Sequence, residues 1–293
     1  MNTKLKLSVV LATRNEEKNI ALCLDSIKDL VDDLPAGRQE IIVMDEHSTD
    51  KTREIAESFG AKVYEVDHEP IFHVTKQKGL DRATGEWILQ LDADERVSSK
   101  LAEDIKQVLA GKYNKSPKEL FLRHQKLVED REKTPLRRGS AGQGDVVGYY
   151  IPRRNMFLGK PLTYAGVYPD GVIRLVKNGY AHFPQKSVHE QIQVDGKISW
   201  LSGDLIHNDS PTLARYFQRL NRYTDLQAIE LLDMHIPKNV LFIIHYSLFK
   251  PIMVFINLFI VHKGFLDGFR GFLWSMFSSW HFPIAYFKYW TKK

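Results

Sequence analysis

Two aspartates separated by a single alanine follow a short apolar run in the first third of the chain. Asp92 and Asp94 come directly after residues 87–91, whose sequence Trp-Ile-Leu-Gln-Leu is typical of a buried strand. Two carboxylates held at a strand end form a hard oxygen site that suits Mg²⁺ or Mn²⁺. A metal ion at this place would neutralise a diphosphate leaving group. The alternative is a solvated acidic turn before the next helix, and the pair by itself does not exclude it.

Polar side chains also follow two other predicted strands. Thr-Arg-Asn-Glu at 13–16 follows the apolar run at 5–12, and Asp-Glu-His-Ser-Thr-Asp at 45–50 follows the run at 40–44. The carboxyl ends of parallel strands share one edge of a sheet, and ligands of such sheets bind at that edge. Three polar clusters at one edge therefore predict a single binding site.

Alternating strands and helices position these clusters. Apolar, β-branched runs predict strands, and amphipathic segments that end at Gly or turn residues predict helices. This alternation implies an α/β fold with a mostly parallel, doubly wound sheet. The predicted strands are 5–12, 40–44, 62–66 and 86–91, and the predicted helices are 15–30 (capped by Asn15), 52–59, 74–84 and 99–109.

The next part of the chain is less regular. Residues 112–145 are rich in charge, Gly and Pro, which predicts a mobile loop or insertion. Residues 148–207 have the composition of strands and turns, and Pro211 opens a helix predicted at 213–233.

Two common nucleotide-binding motifs are missing from the sequence. No Gly-x-Gly-x-x-Gly follows the first predicted strand, which argues against a nicotinamide-dependent dehydrogenase, and no Walker motif is present, which argues against a P-loop kinase. Without a glycine-rich phosphate loop, a metal ion is the natural way to hold a pyrophosphate group.

Residues 7–109 resemble the nucleotide-sugar half of a family 2 glycosyltransferase with the GT-A fold, which is Rossmann-like. The second half resembles the branch that includes lipopolysaccharide-core glucosyltransferases, and the resemblance covers nearly the whole chain except 112–145. A departure occurs at His47, where the family usually has glycine. The motifs that carry the resemblance are Leu-Ser-Val-Val-Leu-Ala-Thr-Arg-Asn-Glu-Glu at 7–17, Ile-Ile-Val-Met-Asp at 41–45, Ser-Thr-Asp at 48–50, Leu-Asp-Ala-Asp-Glu at 91–95, Arg-Asn-Met-Phe-Leu-Gly-Lys at 154–160, Tyr-Pro-Asp at 168–170, Arg-Leu at 174–175, Val-His-Glu at 188–190 and Gly-Phe-Leu-Asp-Gly at 264–268.

The resemblance implies roles for individual residues in binding a UDP-sugar. It implies that Asp45 reaches the base, that Asp94 binds the metal, and that Asp92 binds ribose, metal or metal-bound water. Arginines of the second half are candidates for pairing with diphosphate or an anionic acceptor, although an ordinary surface ion pair is the default explanation of each one. The remaining implied donor contacts are Ala12, Thr13 and Glu16 at the uracil or ribose and Lys78 at the donor, and the two arginines are Arg154 and Arg174.

An inverting transfer also needs a base. A carboxylate must deprotonate the acceptor hydroxyl on the face opposite the leaving diphosphate. Glu190 is the preferred candidate, because it follows the acidic motif at the distance typical of the family's base. Asp170 is the competitor, although turn residues of its type are often structural.

The positive charge of the chain is concentrated at its C-terminal end. The whole chain has 41 Lys and Arg against 36 Asp and Glu. From His235 onward it has seven Lys and Arg, one acid and 16 of its 33 aromatic residues, so the preceding residues are nearly neutral. Aromatic residues and lysines favour the headgroup region of a membrane, which predicts helices that lie in or dip into an anionic leaflet. Helices packed on the catalytic domain or in a homodimer interface, and a true span at 240–261, remain alternatives. Lys250 and Pro251 at its centre argue against the span.

These observations predict an inverting, Mg²⁺- or Mn²⁺-dependent glycosyltransferase that moves a sugar from a UDP-sugar to a lipid-linked or lipopolysaccharide-type acceptor. The apolar run at 7–12 is too short for an export signal, which predicts the cytoplasmic face of the inner membrane, with peripheral or monotopic attachment. A polyprenyl-phosphate glycosyltransferase is the alternative. A nucleic-acid-binding protein is more remote, since the body of the chain is neutral. A non-catalytic membrane protein is also more remote, since Asp45, Asp92 and Asp94 are intact. The predicted domains are 1–210, composed of 1–110, an insertion at 111–147 and an acceptor half at 148–210, followed by a helical region at 211–293.

Overall fold

Strand β1 (Leu7–Thr13) lies at the centre of a parallel sheet. All seven of its residues are buried. The parallel strands β2 (Gln39–Asp45) and β4 (Trp87–Asp92) pair with it on its two sides. A strand covered on both faces needs an unbroken apolar run, which explains the composition of β1. The structure is a computed structural model that describes residues 6–32, 39–113, 117–132, 145–184 and 192–292.

The strands form one large mixed sheet and a small hairpin. In the large sheet the order is β3-β2-β1-β4-β8-β6-β12-β5, with β7 and β11 paired to β6. The first four strands of this order are mutually parallel, whereas β8 is antiparallel to β4 and β6 is antiparallel to β8. The other strands are β3 (Lys62–Glu65), β5 (Glu95–Val97), β6 (Val146–Phe157), β7 (Lys160–Pro161), β8 (Asp170–Lys177), β9 (Ala181–His182), β10 (Gln193–Val194), β11 (Lys197–Trp200) and β12 (Leu205–Ser210).

Helices pack on both faces of the parallel strands. Val9 and Leu11 belong to an apolar cluster with residues of helices α1 (Ile20–Ser26) and α5 (Ser99–Leu109). Val10 belongs to a cluster with Leu80 of helix α4 (Phe72–Arg82). Helix α4 approaches so closely that a Cβ on Gly79 would lie 2.5 Å from Val10 Cγ1. The α/β fold with a mostly parallel nucleotide-binding half is therefore confirmed. The helices are α1 (Ile20–Ser26), α2 (Lys28–Asp32), α3 (Thr52–Ser58), α4 (Phe72–Arg82), α5 (Ser99–Leu109), α6 (Lys118–Glu132) and α7 (Leu213–Asp233).

Helix α5 has the predicted bounds, but the first helix does not. Ser98 caps α5 by accepting a hydrogen bond from Leu101 N. The prediction that Asn15 caps a helix over 15–30 is wrong, because Asn15 has a left-handed backbone (φ 55°) and its Oδ1 accepts a hydrogen bond from Thr49 N at 2.8 Å. The helix begins instead at Ile20.

The predicted loop at 112–145 contains a helix. Residues Lys118–Glu132 form α6, and its His124 is buried, with its ring 5.2 Å from the Trp200 ring. The prediction is therefore wrong for this stretch, because burying one face of α6 provides the stability that its charged sequence does not indicate.

The chain divides into two compact units. One comprises the described residues of Met1–Arg153 and Pro169–His207, and the other those of Arg154–Tyr168 and Asn208–Lys293. Residues 154–168, which the sequence analysis placed in the acceptor half of the first domain, thus belong with the C-terminal helices.

The second unit consists mainly of three long helices. Helix α7 has the predicted bounds and is capped by Thr212. It is followed by the apolar helix (Val240–Val261) and the C-terminal helix (Gly268–Thr291). Among the described residues, the apolar helix is the one that is long and apolar enough to cross a membrane, judged by length and composition.

Candidate active site

The two aspartates at the end of β4 are held in different ways. Asp92 is the last residue of β4, and the chain turns through Ala93 and Asp94 before β5 begins at Glu95. The Glu95 carboxylate accepts a hydrogen bond from Asp92 N at 3.0 Å, which closes this turn. The side chains of Asp92 and Asp94 are partly exposed, at 27% and 28%, whereas that of Glu95 is fully buried.

Both carboxylate oxygens of Asp92 bind cationic groups. Lys76 Nζ lies 2.5 Å from Oδ1, and Arg174 Nη2 lies 2.5 Å from Oδ2. Burial alone would raise the pKa of Asp92, but the charges of Arg174 and Lys76 hold it well below its ordinary value. Asp92 is therefore ionised and paired with two cationic side chains, and its part in metal binding stays a prediction.

Arg174 is a buried structural residue. Its guanidinium donates to Gln90 Oε1, to Asp92 Oδ2 and to Glu95 Oε1, the last at 2.7 Å. Its side chain is 8% exposed. Burial lowers its pKa, but Asp92 and Glu95 outweigh this effect and raise it. In this conformation Gln90, Asp92 and Glu95 engage both terminal nitrogens of Arg174, and its pairing with diphosphate or an acceptor stays a prediction.

Asp170 is engaged by a second arginine. Arg153 Nε and Nη2 donate to the same Asp170 oxygen at 3.0 and 2.7 Å, and Arg153 Nη1 lies 3.7 Å from Glu95 Oε1. A carboxylate held by arginine is a weak proton acceptor, which reduces the case for Asp170 as the base. Glu190 lies outside the described residues.

Asp94 has a histidine partner. His207 Nε2 lies 3.4 Å from Asp94 Oδ2, and His207 stands opposite Glu95 in the antiparallel pairing of β5 and β12. Burial raises the pKa of Asp94, but the hydrogen bond and charge of His207 hold it below its ordinary value. The sequence analysis did not select His207. Four of the six residues of the strand Leu205–Ser210 are polar, so the sequence held no signal that singled out His207.

The basic residue of α4 that reaches the site is Lys76 and not Lys78. Lys78 Nζ pairs with Glu69 Oε1 at 2.5 Å. Lys76 is buried on the same face as Leu80, one helical turn later. The four-residue spacing of Lys76 and Leu80 is visible in the sequence, and it would have predicted that Lys76 faces the interior.

The polar clusters after β1 and β2 form a turn around a buried carboxylate. Asp45 is fully buried and accepts hydrogen bonds from Thr13 Oγ1 at 3.0 Å, Ser48 N at 2.8 Å and Ser48 Oγ at 2.6 Å. The polar side-chain atoms of Thr13 and Asp45 support the turn in this conformation, and their direct contact with the nucleoside stays a prediction. His47 has φ 50°, so it occupies the left-handed position for which glycine is favoured.

The exposed groups at this edge come from neighbouring residues. Glu46 is buried and pairs with His68 Nδ1 at 2.6 Å, and the other ring nitrogen of His68 lies 2.9 Å from Arg14 Nη1. Arg14 itself is exposed. Ala12 is buried, whereas Glu16 is half-buried and accepts a hydrogen bond from Asn19 Nδ2 at 2.8 Å.

Arg154 belongs to the other compact unit. Its guanidinium carbon lies 5.0 Å from the centre of the Tyr168 ring, within the range of a cation–π interaction. Its predicted role toward diphosphate or acceptor stays a prediction.

Among the described residues, no group of three or more His, Cys, Asp or Glu side chains is placed to hold a metal ion by itself. The cluster around β4 offers Asp94 and His207 as possible ligands, in addition to the predicted Asp92. A Mg²⁺ or Mn²⁺ ion commonly takes few protein ligands and completes its coordination with water and substrate phosphates. The Asp94 carboxylate fits either ion, whereas the His207 imidazole suits a transition-metal ion such as Mn²⁺ better than Mg²⁺, with the diphosphate supplying remaining ligands.

Comparisons with known proteins identify glycosyltransferases as relatives. The family model for glycosyl transferase family 2 matches residues 8–156. An uncharacterized glycosyltransferase of Rickettsia typhi is 26% identical over 282 residues, covering 92% of this chain and 82% of that protein. The lipopolysaccharide core biosynthesis glycosyltransferase LpsC of Rhizobium meliloti is 23% identical over 282 residues, covering 94% and 88%.

Among solved structures, similarity extends to the mannosyltransferase PcManGT of Pyrobaculum calidifontis in complex with GDP-Man and Mn²⁺. It has a TM-score of 0.45 and 15% identity, over 97% of this chain and 73% of that one. The S. aureus TarS fragment 1–349 in complex with UDP-GlcNAc has a TM-score of 0.44 and 15% identity, over 95% and 82%. The family match covers half of this chain and includes β1, β2 and the acidic turn after β4, and the chain belongs to glycosyl transferase family 2.

Proposed function

We propose that this protein transfers a sugar, with inversion, from a UDP-sugar to a lipid-linked or lipopolysaccharide-type acceptor in the synthesis of cell-envelope glycans. The observation that carries the proposal is the Asp94–His207 pair beside the neutralised Asp92 at the carboxyl edge of the sheet. Family membership supports the reaction class, and the relative named as a lipopolysaccharide core enzyme supports the acceptor class.

The proposed cofactor is Mg²⁺ or Mn²⁺, held by Asp94 and His207. When bound, the ion would neutralise the diphosphate leaving group. Arg174 and Glu95 fix the turn that carries Asp94, and Lys76 keeps Asp92 neutralised so that it does not repel the donor. Asp92 would then bind the ribose or a metal-bound water molecule, as the resemblance implies.

The proposed donor site lies at the carboxyl ends of β1 and β2. The Thr13–Asp45–Ser48 hydrogen bonds shape the turn, and exposed Arg14, held by His68, is the cationic group at its surface. Uridine as the nucleoside comes from the family resemblance.

The proposed general base is Glu190. Arg153 already holds Asp170, which supports this choice. Glu190→Gln should lower transfer by about 10²–10⁴-fold while leaving UDP binding unchanged. The matched variant Asp170→Asn should lower stability more than it lowers the rate, because it removes the partner of Arg153. A near-normal rate in Glu190→Gln with loss in Asp170→Asn at preserved stability would assign the base to Asp170.

The proposed location is the cytoplasmic face of the inner membrane, with peripheral or monotopic attachment through the second unit. The basic, aromatic composition after His235 supports this location. The related proposal of a polyprenyl-phosphate acceptor shares this requirement for a membrane surface.

A donor and acceptor screen tests the function. Purified protein would be incubated with Mg²⁺ and UDP-glucose, UDP-GlcNAc or GDP-mannose, in vesicles containing either lipopolysaccharide precursor or polyprenyl phosphate. We expect acceptor-dependent UDP release with the lipopolysaccharide precursor. Product formed on polyprenyl phosphate alone would favour the alternative, and absence of release from every donor would contradict both.

A further inference from the structure

The apolar helix exposes one continuous apolar stripe. Apolar side chains at every fourth position are exposed, and so are their neighbours Leu241, Phe249, Met253 and Val261. A strict four-residue repeat drifts around an α-helix, but the π-helical stretches His245–Phe249 and Asn257–Val261 offset this drift, so these side chains share one face. At 1.5 Å per residue the 22-residue helix is about 33 Å long, close to the thickness of a bilayer core. Length alone therefore allows either a helix that crosses the bilayer or one that lies in its plane. The stripe consists of Val240, Ile244, Leu248, Ile252, Ile256 and Ile260.

The lysine at the middle of this helix is turned away from the stripe. Lys250 Nζ lies 4.7 Å from the centre of the Tyr246 ring and 4.4 Å from that of Phe282 in the C-terminal helix. Pro251 beside it is buried. The charge is thus covered by aromatic faces, and the central lysine no longer argues against contact between the stripe and lipid.

Helix α7 packs against the C-terminal helix, which in turn packs against the apolar helix. Tyr286 of the C-terminal helix stacks on Tyr246 of the apolar helix at 4.7 Å, whereas Phe277 packs on Tyr216 of α7 at 5.5 Å. Helix α7 exposes charged side chains from its first turn to its last, including Arg215, Arg222 and Glu230. If the apolar helix crossed the bilayer, α7 would be carried with it, and the charges of α7 would enter the acyl chains, which is unfavourable.

The far end of the apolar helix is bound to an irregular segment of the chain. Ala165 N donates to His262 O at 3.0 Å, and the Asp267 carboxylate accepts hydrogen bonds from Thr163 N and Tyr164 N. The segment between β6, which ends at Phe157, and β8, which begins at Asp170, contains only the two-residue strand β7. Placing the far end across a bilayer would require this irregular segment to cross it twice, where its backbone groups would lack partners.

We propose that the apolar helix lies in the plane of the membrane, with its stripe immersed in the acyl chains of one leaflet of an anionic bilayer. The charge of the tail is complementary to such a surface, since the chain has seven Lys and Arg but one acid from His235 onward. Basic side chains occur at both ends of the helix, at Lys238 and Lys263. This arrangement satisfies the stripe and keeps α7 in water.

The depth of the stripe tests the proposal. In the full-length chain with Cys23→Ala, single cysteines would replace Ile244, Ile252 or Ile260, and an NBD label would report quenching by brominated lipids in phosphatidylcholine–phosphatidylglycerol vesicles. We expect similar quenching at the three positions and none at Arg222→Cys on α7. Quenching that peaks at 252, with positions 244 and 260 reporting opposite sides of sealed vesicles, would establish a span and overturn the proposal.

Vesicle binding of charged variants supplies the second test. Leu248→Asp with Ile252→Asp should weaken sedimentation with these vesicles by at least about tenfold. The matched pair Leu213→Asp with Ile229→Asp, on exposed positions of α7, should leave it unchanged. Unchanged binding of the stripe variant, or a concentration-dependent dimer that the stripe variant abolishes, would assign the stripe to a second copy of the chain. Binding is measured without donor or acceptor, so its failure leaves the transferase proposal standing.

Discussion

Asp92 and Asp94 show how two carboxylates separated by one residue acquire different chemistry. Asp92 has a lysine on one oxygen and an arginine on the other, so its charge is neutralised within the protein. Asp94 faces a histidine at 3.4 Å, which is a group that can share a metal ion with it. The sequence Asp-Ala-Asp does not distinguish the two residues, whereas their partners do.

Removing His207 should weaken metal binding and lower the metal-dependent transfer rate. We expect His207→Ala to lower metal-dependent transfer by at least about 10²-fold and to weaken Mn²⁺ binding in the presence of UDP, measured by electron paramagnetic resonance. His182→Ala, on the half-exposed strand β9, is the control and should behave like the original protein. Full activity of the original protein in excess EDTA would rule out the metal site.

Replacing Arg174 should destabilise the protein. Arg174→Met leaves Asp92 with one cationic partner and removes a partner of buried Glu95, so the free energy of unfolding should fall by about 3–5 kcal/mol in urea titrations. The exposed Lys100→Met on α5 should have little effect. Unchanged stability together with a raised KM for the donor would support the diphosphate contact expected from the sequence.

At the scale of elements, one buried carboxylate ties three segments of the parallel sheet together. Glu40 of β2 accepts hydrogen bonds from Ser8 Oγ of β1 at 2.7 Å and from Thr84 N ahead of β4 at 2.9 Å, and it pairs with Lys62 of β3 at 2.9 Å. Strand pairing alone does not fix the ends of these strands, so this cross-link defines where the sheet begins.

The same cross-link makes stability depend on pH. Burial raises the pKa of Glu40, but the hydrogen bonds from Thr84, Ser8 and Lys62 outweigh it and lower the pKa from 4.5 to about 2. A lowered pKa in the folded state contributes stability above pH 4.5, and this contribution is lost as the pH falls toward 2. Glu40→Gln should therefore cost about 1–3 kcal/mol at neutral pH and progressively less below pH 4.5, in urea titrations across pH. A constant difference down to pH 2, or an equal effect of exposed Glu57→Gln, would contradict this.

At the scale of the whole molecule, charge and apolar surface are segregated along the chain. The residues before His235 are nearly neutral, and the C-terminal tail carries the positive excess together with almost half of the aromatic residues. Some aromatic residues of the tail form the interior of the second unit, whereas the outward-facing stripe of the apolar helix is aliphatic. Tyr216, Phe277 and Tyr286 are buried among the helices, so deleting the tail would also expose the apolar face of α7.

This segregation predicts a mixed response of membrane binding to salt. Raising NaCl from about 0.05 to 0.5 M shortens the screening length and should weaken binding to anionic vesicles, since each basic residue near the surface contributes about 1 kcal/mol at low salt. Binding should not fall to zero, because immersion of the stripe does not depend on charge. Sedimentation with anionic and with phosphatidylcholine vesicles measures the two parts. Complete release at high salt would leave electrostatics as the sole attachment.

The sequence by itself determined the alternation of strands and helices, the edge of the sheet where the polar clusters meet, and the separation of a neutral body from a basic aromatic tail. These features depend on local periodicity and composition, so β1, α5 and α7 could be predicted closely. The sequence could not predict α6, because the stability of this helix comes from burying His124 against the sheet. It also could not predict where the first helix begins, because the turn at Asn15 is bonded to Thr49 and the helix starts after this turn.

Only the tertiary structure decided which partners each polar side chain meets. His207 reaches Asp94 through the pairing of β12 with β5, and Lys250 turns inward because the C-terminal helix places Phe282 over it. Asp45 is buried because Thr13 of the neighbouring strand and Ser48 saturate its oxygens. These contacts join residues far apart in the chain, and hydrogen-bond and charge complementarity between them leaves no periodic trace in the sequence.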